Sequence, residues 1–109
     1  MKYFIKNSER QGTCYFEFQK GEFNGKFWLE DSLFLDEDIF DKFELYKYFQ
    51  IAVPEFDYYG MNNAITPEQW KKLVSLIPKN SKQEELFDKL TVWVNDTLEE
   101  YGTFSILGI

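Results

Sequence analysis

The sequence contains no histidine, one cysteine and no long apolar run, and each absence excludes a class of function. Without histidine there is no Ser-His or Cys-His nucleophilic pair, and a single cysteine is too few thiolates for a structural zinc site. Cys14 cannot form an internal disulfide, which is typical of a reducing compartment. The first ten residues hold only three consecutive apolar side chains, too few for a signal peptide, and no later stretch is long enough to span a membrane. We therefore expect a cytoplasmic protein with no membrane contact, no metal ion and no other cofactor.

Two short stretches come close to ligand-binding motifs without completing them. GEFNGK, at residues 21–26, is one residue short of phosphate-loop spacing and is followed by Phe27 where serine or threonine is needed. DEDIFD begins like a calcium loop at Asp36, but Asp41 stands where that loop requires glycine. A pair of carboxylates is the only catalytic arrangement left, and 109 residues can hardly enclose the cleft that it needs. We expect no enzymatic activity.

Positive charge is scarce, and the excess of negative charge is confined to one segment. The chain has 12 lysines and arginines against 19 aspartates and glutamates, a net charge of −7. Residues 30–57 hold nine of these acids and two lysines, whereas the other 81 residues hold ten acids and ten basic residues. No basic patch is present, so we expect no direct binding to nucleic acid. A negative electrostatic field that is concentrated in one segment favours a positively charged partner.

The first third of the chain has the alternating pattern of β-strands. Cys14 shares one face of this pattern with Phe18, which predicts that Cys14 is a buried small hydrophobe. Two turn signals follow, Lys20-Gly21 and Asn24-Gly25. We place a hairpin turn at Lys20-Gly21, because that register sets Phe18 opposite Phe23, and interpret Asn24-Gly25 as a bulge.

Three helices are predicted after the strands. The first starts at Asp36 and ends before Pro54, with one apolar stripe made of Ile39, Phe43, Tyr46, Phe49 and Val53. The second starts at Thr66 with a capping box, and the third starts at Ser81 and stops at Gly102. TFSILGI then returns to a strand pattern. The sequence therefore predicts a single α+β domain over residues 1–109, a mainly antiparallel sheet of N-terminal strands and a C-terminal strand packed by about three helices.

Aromatic residues make up 20% of the chain, more than a core of this size easily buries, and several fall in EFDYYGMNN at residues 55–63. Tyrosine and phenylalanine give interfaces a large contact area, and acids at the rim attract a cationic partner. We predict that a protein partner binds Glu55, Phe56, Asp57, Tyr58 and Tyr59, together with Glu30 and Asp31, which no helix start explains. For each ring the alternative, that it fills the core beneath the loop, stays open.

At these residues the chain resembles the immunity proteins of bacterial polymorphic toxin and contact-dependent growth inhibition systems. The likeness covers residues 39–77 best, and it is carried by Phe56, Asp57, Tyr59, Gly60, Asn62, Ile65, Thr66, Pro67, Gln69 and Trp70. The resemblance implies a protein made beside a toxin gene that binds the C-terminal domain of the toxin, in a 1:1 complex, and blocks it. Many such toxins are nucleases with basic clefts, for which an acidic surface is the expected complement. The alternative is an acidic adaptor or nucleic-acid mimic that binds a host nucleic-acid-binding protein.

Overall fold

The computed structural model describes residues 2–61 and 63–109. Five strands in the described residues are β1 Phe4–Ile5, β2 Tyr15–Lys20, β3 Leu33–Asp36, β4 Asn63–Ile65 and β5 Phe104–Leu107. Four α-helices are α1 Glu37–Lys42, α2 Leu45–Ala52, α3 Pro67–Leu76 and α4 Lys82–Tyr101, and a short 3-10 helix spans Asn7–Glu9. Every neighbouring strand pair is antiparallel, in the order β1-β3-β2-β5-β4. The predicted α+β class is confirmed, and so is the C-terminal strand, which lies between β2 and β4.

The predicted hairpin at Lys20-Gly21 does not form. β2 pairs with β3 and β5, so that Phe18 lies opposite Leu33 and Ile106 rather than Phe23. Residues 22–32 contain no strand, and Asn24-Gly25 lies within this loop instead of forming a bulge. No strand is predicted from the sequence at β4, Asn63–Ile65.

The loop of residues 22–32 covers the sheet face opposite the helices, which is why the hairpin prediction is wrong. Glu17 is only 2% exposed, and its carboxylate accepts hydrogen bonds from the Trp28 N–H at 2.9 Å, the Leu29 N–H at 3.0 Å and the Ser32 hydroxyl at 2.7 Å. Gln19, also buried, donates through Nε2 to the Lys26 carbonyl at 2.8 Å. In an antiparallel strand where apolar and polar residues alternate, the polar side chains normally face water. Here the loop supplies their hydrogen-bond partners, so both faces of β2 are buried.

Cys14 is exposed, contrary to the prediction. β2 begins one residue later, at Tyr15, so Cys14 is outside the ladder that would have buried it. Its carbonyl accepts a hydrogen bond from the Glu37 N–H at 3.1 Å, which joins it to the start of α1.

The predicted long helix from Asp36 is divided into α1 and α2. Asp36 is the N-cap, as expected, and its side chain accepts from the Asp38 N–H at 2.7 Å. Glu44 interrupts the helix with a left-handed φ of 54°. Phe43, Phe49 and Val53 of the predicted stripe are buried. Phe40 and Leu45 are buried as well, whereas Tyr46 is 36% exposed.

The two remaining helices begin where the sequence places them, and α4 also ends there. Thr66 and Gln69 form the predicted capping box of α3, and Gly102 ends α4 in a left-handed conformation with φ 78°. Ser81 caps α4 by accepting from the Glu84 N–H, but the Glu84 carboxylate accepts from the Asn80 N–H rather than completing a box. No helix within the described ranges is both long enough and apolar enough to cross a membrane.

Trp70 of α3 is expected to be a main determinant of stability. It is 6% exposed, stacks on Phe87 at 5.6 Å and meets Phe104 edge-on at 5.9 Å. Trp70→Ala should lower the free energy of unfolding by about 3 kcal/mol or more, because truncation leaves a cavity at the centre of the core. Urea denaturation would measure the loss. Val74→Ala, at a 43% exposed position of the same helix, is the control, and equal stability of the two variants would contradict the assignment.

Candidate partner-binding surface

The seven predicted partner residues lie in two separate groups. Asp31 is next to α4, where its carbonyl accepts a hydrogen bond from Trp93 Nε1 at 3.3 Å, and Glu30 precedes it on an exposed loop. This group is at the start of β3. The tyrosine loop, residues 55–61, instead contacts α1 and the end of β5, beyond the opposite end of β3. The length of β3 therefore separates Glu30 and Asp31 from the five predicted partner residues that lie in the tyrosine loop.

Phe56 is a core residue, and its interpretation as a contact for a partner is corrected. Its side chain is 3% exposed, stacks on Phe49 at 5.1 Å and lies 6.0 Å from the Tyr46 ring. A partner could reach it only after local unfolding of the loop. The alternative that this ring fills the core beneath the loop is the one that the packing supports.

Tyr58 joins the tyrosine loop to α1. Its hydroxyl lies 2.9 Å from both Glu37 Oε2 and Asp41 Oδ1, and its half-buried ring packs edge-on against Phe16 and Phe40. Tyr58 therefore has a structural role in joining the loop to a regular element. Because the phenol has a single proton, it donates to one carboxylate at a time, and both acids are concentrated around one oxygen atom.

Asn63 of β4 holds the rest of the tyrosine loop in place. Its Oδ1 accepts from the Asp57 N–H at 2.9 Å, and its Nδ2 donates to the Asp57 carbonyl at 2.9 Å and to the Ile106 carbonyl at 3.1 Å. Sequence reasoning missed this residue, because its role depends on contact with a strand 43 positions later in the chain.

The C-terminal residues also hold the tyrosine loop in place. The Gly108 N–H donates to the Gly60 carbonyl at 2.6 Å, and the Ile109 N–H donates to the Tyr58 carbonyl at 3.2 Å. Glycine is required at position 108, since a Cβ there would collide with the Tyr58 carbonyl oxygen. The loop is therefore a fixed platform, which lowers the entropy cost of binding a partner.

Tyr59 and Asp57 are exposed to solvent, as are Glu55 and Met61 of the same loop. Tyr59 is 71% exposed, the highest value among the large apolar and aromatic side chains of the described residues. Asp57 is exposed, and its Oδ1 accepts from the Tyr59 N–H at 3.0 Å. Tyr59 and Asp57, with Glu37, Asp41 and Tyr58, form what we name the acidic tyrosine surface. Glu37 and Asp41 are not among the residues that the sequence predicts to bind a partner, and their contacts with the Tyr58 hydroxyl place them in this surface.

Ionisation of Tyr58 is expected to be coupled to folding. Burial, followed by its hydrogen bonds to the Asp41 and Glu37 carboxylates, raises the pKa of the Tyr58 phenol well above its ordinary value of 10.0. A pKa that is higher in the folded state contributes stability that is complete below the unfolded pKa and is lost as the pH rises towards the folded pKa.

We therefore expect the stability advantage of the native protein over Tyr58→Phe to be constant at neutral pH and to shrink above about pH 10. Urea denaturation from neutral to strongly alkaline pH would measure it. Tyr59→Phe, which removes a hydroxyl from an exposed ring, is the control. A difference between native protein and Tyr58→Phe that does not change with pH would contradict the coupling.

No protein-family model, curated protein or solved structure matches this chain. The motif that resembles immunity proteins is partly structural, since Phe56, Ile65 and Trp70 are buried. Asn62, which belongs to the same motif, lies outside the described residues. The resemblance itself stays a prediction.

Proposed function

We propose that this protein is an immunity protein of the bacterial cytoplasm, which binds a cognate toxin domain 1:1 and blocks it without acting as an enzyme. The observation that carries the proposal is the acidic tyrosine surface, where Tyr59 projects from a hydrogen-bonded loop beside Asp57, Asp41 and Glu37. A rigid exposed tyrosine surrounded by charge has the composition of an interface hot spot with a polar rim.

Within the described part of the chain, the acids of this surface form no ion pair. In residues 2–61 and 63–109, ion pairs join only Lys2 to Glu9 and Lys47 to Glu44. Of the nine acids in residues 30–57, Glu44 is thus the one that has a cationic partner within the described chain. A partner with lysines and arginines at its contact surface complements this charge, and a nuclease that binds phosphates has such a surface.

The test begins with the open reading frame immediately upstream of the gene. We expect its C-terminal domain to be a compact basic toxin, and expect co-expression of this protein to restore growth of cells that make the toxin domain. The purified pair should form a tight 1:1 complex. Failure to bind that domain, with displacement of several host nucleic-acid-binding proteins in proportion to their basic charge, would instead support the nucleic-acid mimic.

Association with the toxin domain should depend strongly on salt. Rim charges act mainly on the rate of encounter, so raising salt from about 0.05 M to about 0.5 M should slow association by about tenfold or more and change dissociation much less. Stopped-flow fluorescence at several salt concentrations would measure both rates. An association rate that does not change with salt would remove the electrostatic part of the proposal.

A further inference from the structure

An apolar cleft lies on the sheet face opposite the helices. Its volume is about 270 Å³, and it is lined mainly by Tyr15, Phe27, Trp28, Met61, Leu107 and Ile109. Phe27 is 42% exposed and Met61 is 53% exposed, so two large apolar side chains are accessible at this cleft. The volume is larger than a cavity that holds benzene and smaller than typical sites for drug-sized ligands, which suits one amino-acid side chain.

Trp28 forms a fixed wall of the cleft. Its φ of 59° is left-handed, an unusual conformation for a bulky residue. The Glu17 carboxylate holds its N–H at 2.9 Å, the Phe34 ring stacks on its indole at 5.9 Å and the Arg10 guanidinium lies 3.9 Å from its ring centre. Strained residues persist where the surrounding structure holds them, and they are frequent at ligand clamps.

Main-chain hydrogen bonds join residues that line the cleft to residues of the acidic tyrosine surface. Cys14, which also lines the cleft, accepts a hydrogen bond from the Glu37 N–H at 3.1 Å. Ile109, on another wall, donates to the Tyr58 carbonyl at 3.2 Å. Two residues that line the cleft are therefore bonded through the main chain to residues of the acidic tyrosine surface, so the cleft lies close to that surface.

We propose that the cleft receives one bulky apolar side chain, aromatic or long aliphatic, from a partner protein whose adjacent residues are lysines or arginines. The apolar walls select the inserted side chain, and the carboxylates of Glu37, Asp41 and Asp57 complement the flanking cations. This inference rests on the proposed function for the identity of the partner, but the binding chemistry is testable without a toxin.

Cys14 is a built-in reporter, because it is the single cysteine of the sequence, is exposed and lines the cleft. The probe is the peptide acetyl-Lys-Gly-Trp-Gly-Lys-amide, and the readout is the rate at which iodoacetamide alkylates Cys14, followed by mass spectrometry. With a dissociation constant on the order of 1 mM, about 10 mM peptide would slow alkylation about tenfold. The serine analogue of the peptide should give no protection, and the analogue with glutamates in place of lysines should give much less.

Phe27→Ser, at the cleft, should reduce the protection by the tryptophan peptide to about threefold or less. Val92→Ser is the control, because Val92 is 70% exposed on α4 and does not line the cleft, and it should keep the full protection. Circular dichroism would verify that both variants fold, and the alkylation rate without peptide is the reference rate for each variant. Equal protection by the tryptophan and serine peptides, or no protection by the tryptophan peptide, would overturn the inference.

The toxin domain gives a separate outcome. Protection of Cys14 in the complex would support the cleft as part of the interface, whereas tight toxin binding with unchanged alkylation would overturn the cleft inference and leave the proposed function standing. Protection by the peptide combined with failure to bind any toxin domain would support the cleft and reject the proposed function.

Discussion

Replacement of Glu17 by alanine is expected to lower the free energy of unfolding by about 4 kcal/mol or more. The Glu17 carboxylate is the shared acceptor for Trp28, Leu29 and Ser32, and hydrogen bonds to a charged group contribute about 1.5 to 3 kcal/mol each. Alanine would leave these donors without their acceptor beneath the loop of residues 22–32. Urea denaturation, with hydrogen exchange of the Trp28 and Leu29 amides, would measure the loss of stability and of local protection.

Gln19→Ala is the matched control for Glu17→Ala. Gln19 lies on the same strand and the same sheet face, is equally buried and holds the same loop, but through one neutral hydrogen bond to Lys26. Gln19→Ala should lower the free energy of unfolding by about 1 kcal/mol because the hydrogen bond is lost, and by a small further amount because packing is lost. If Glu17→Ala is no more harmful than Gln19→Ala, the carboxylate is not what holds the loop.

The double change Asp57→Asn with Tyr59→Ala is expected to weaken toxin binding about 100-fold and to abolish protection of cells, with little change in melting temperature. Loss of an anchoring tyrosine costs about 2 kcal/mol at an interface, and loss of a rim charge adds a smaller amount. Asparagine keeps an oxygen that can accept from the Tyr59 N–H, so the loop is preserved. Isothermal titration calorimetry and growth assays would measure the two effects. Tyr58 is kept, because its hydroxyl and ring hold α1 in place.

The chain offers a matched control at the end of α4. Glu99→Gln with Tyr101→Ala removes an acid and a tyrosine at the same spacing, and Tyr101 is 48% exposed. This variant should bind and protect like the native protein. Loss of binding in both double variants would indicate a non-specific effect of charge and aromatic content. If only the α4 variant loses binding, or if neither does, the interface is elsewhere, and Glu30 and Asp31 at the other end of β3 are the next positions to change.

The parts of the fold that were predicted correctly depend on contacts close in sequence. The start of α3 follows from Thr66 and Gln69, which are three positions apart, and the end of α4 follows from the left-handed freedom of Gly102. The C-terminal strand follows from a local alternating pattern. For the same reason the partner surface was predicted in part: the tyrosine loop follows from its composition, and Asp57 and Tyr59 are exposed within it.

By itself, then, the sequence determined the α+β class, the capped helix ends and the acidic segment, because these depend on composition and on neighbours within one turn. Only the tertiary structure decided that β2 pairs with β3 and β5 rather than forming the predicted hairpin. Both arrangements bury Phe18, but only the observed one gives Glu17 hydrogen-bond donors, which are 11 to 15 positions away in the sequence. The tertiary structure also decided the roles within the tyrosine loop. Phe56 and Tyr58 pack on α1 and α2, and Tyr59 alone among the loop's rings points to solvent, because side chains that are similar in composition are distinguished by the distant surfaces that they meet.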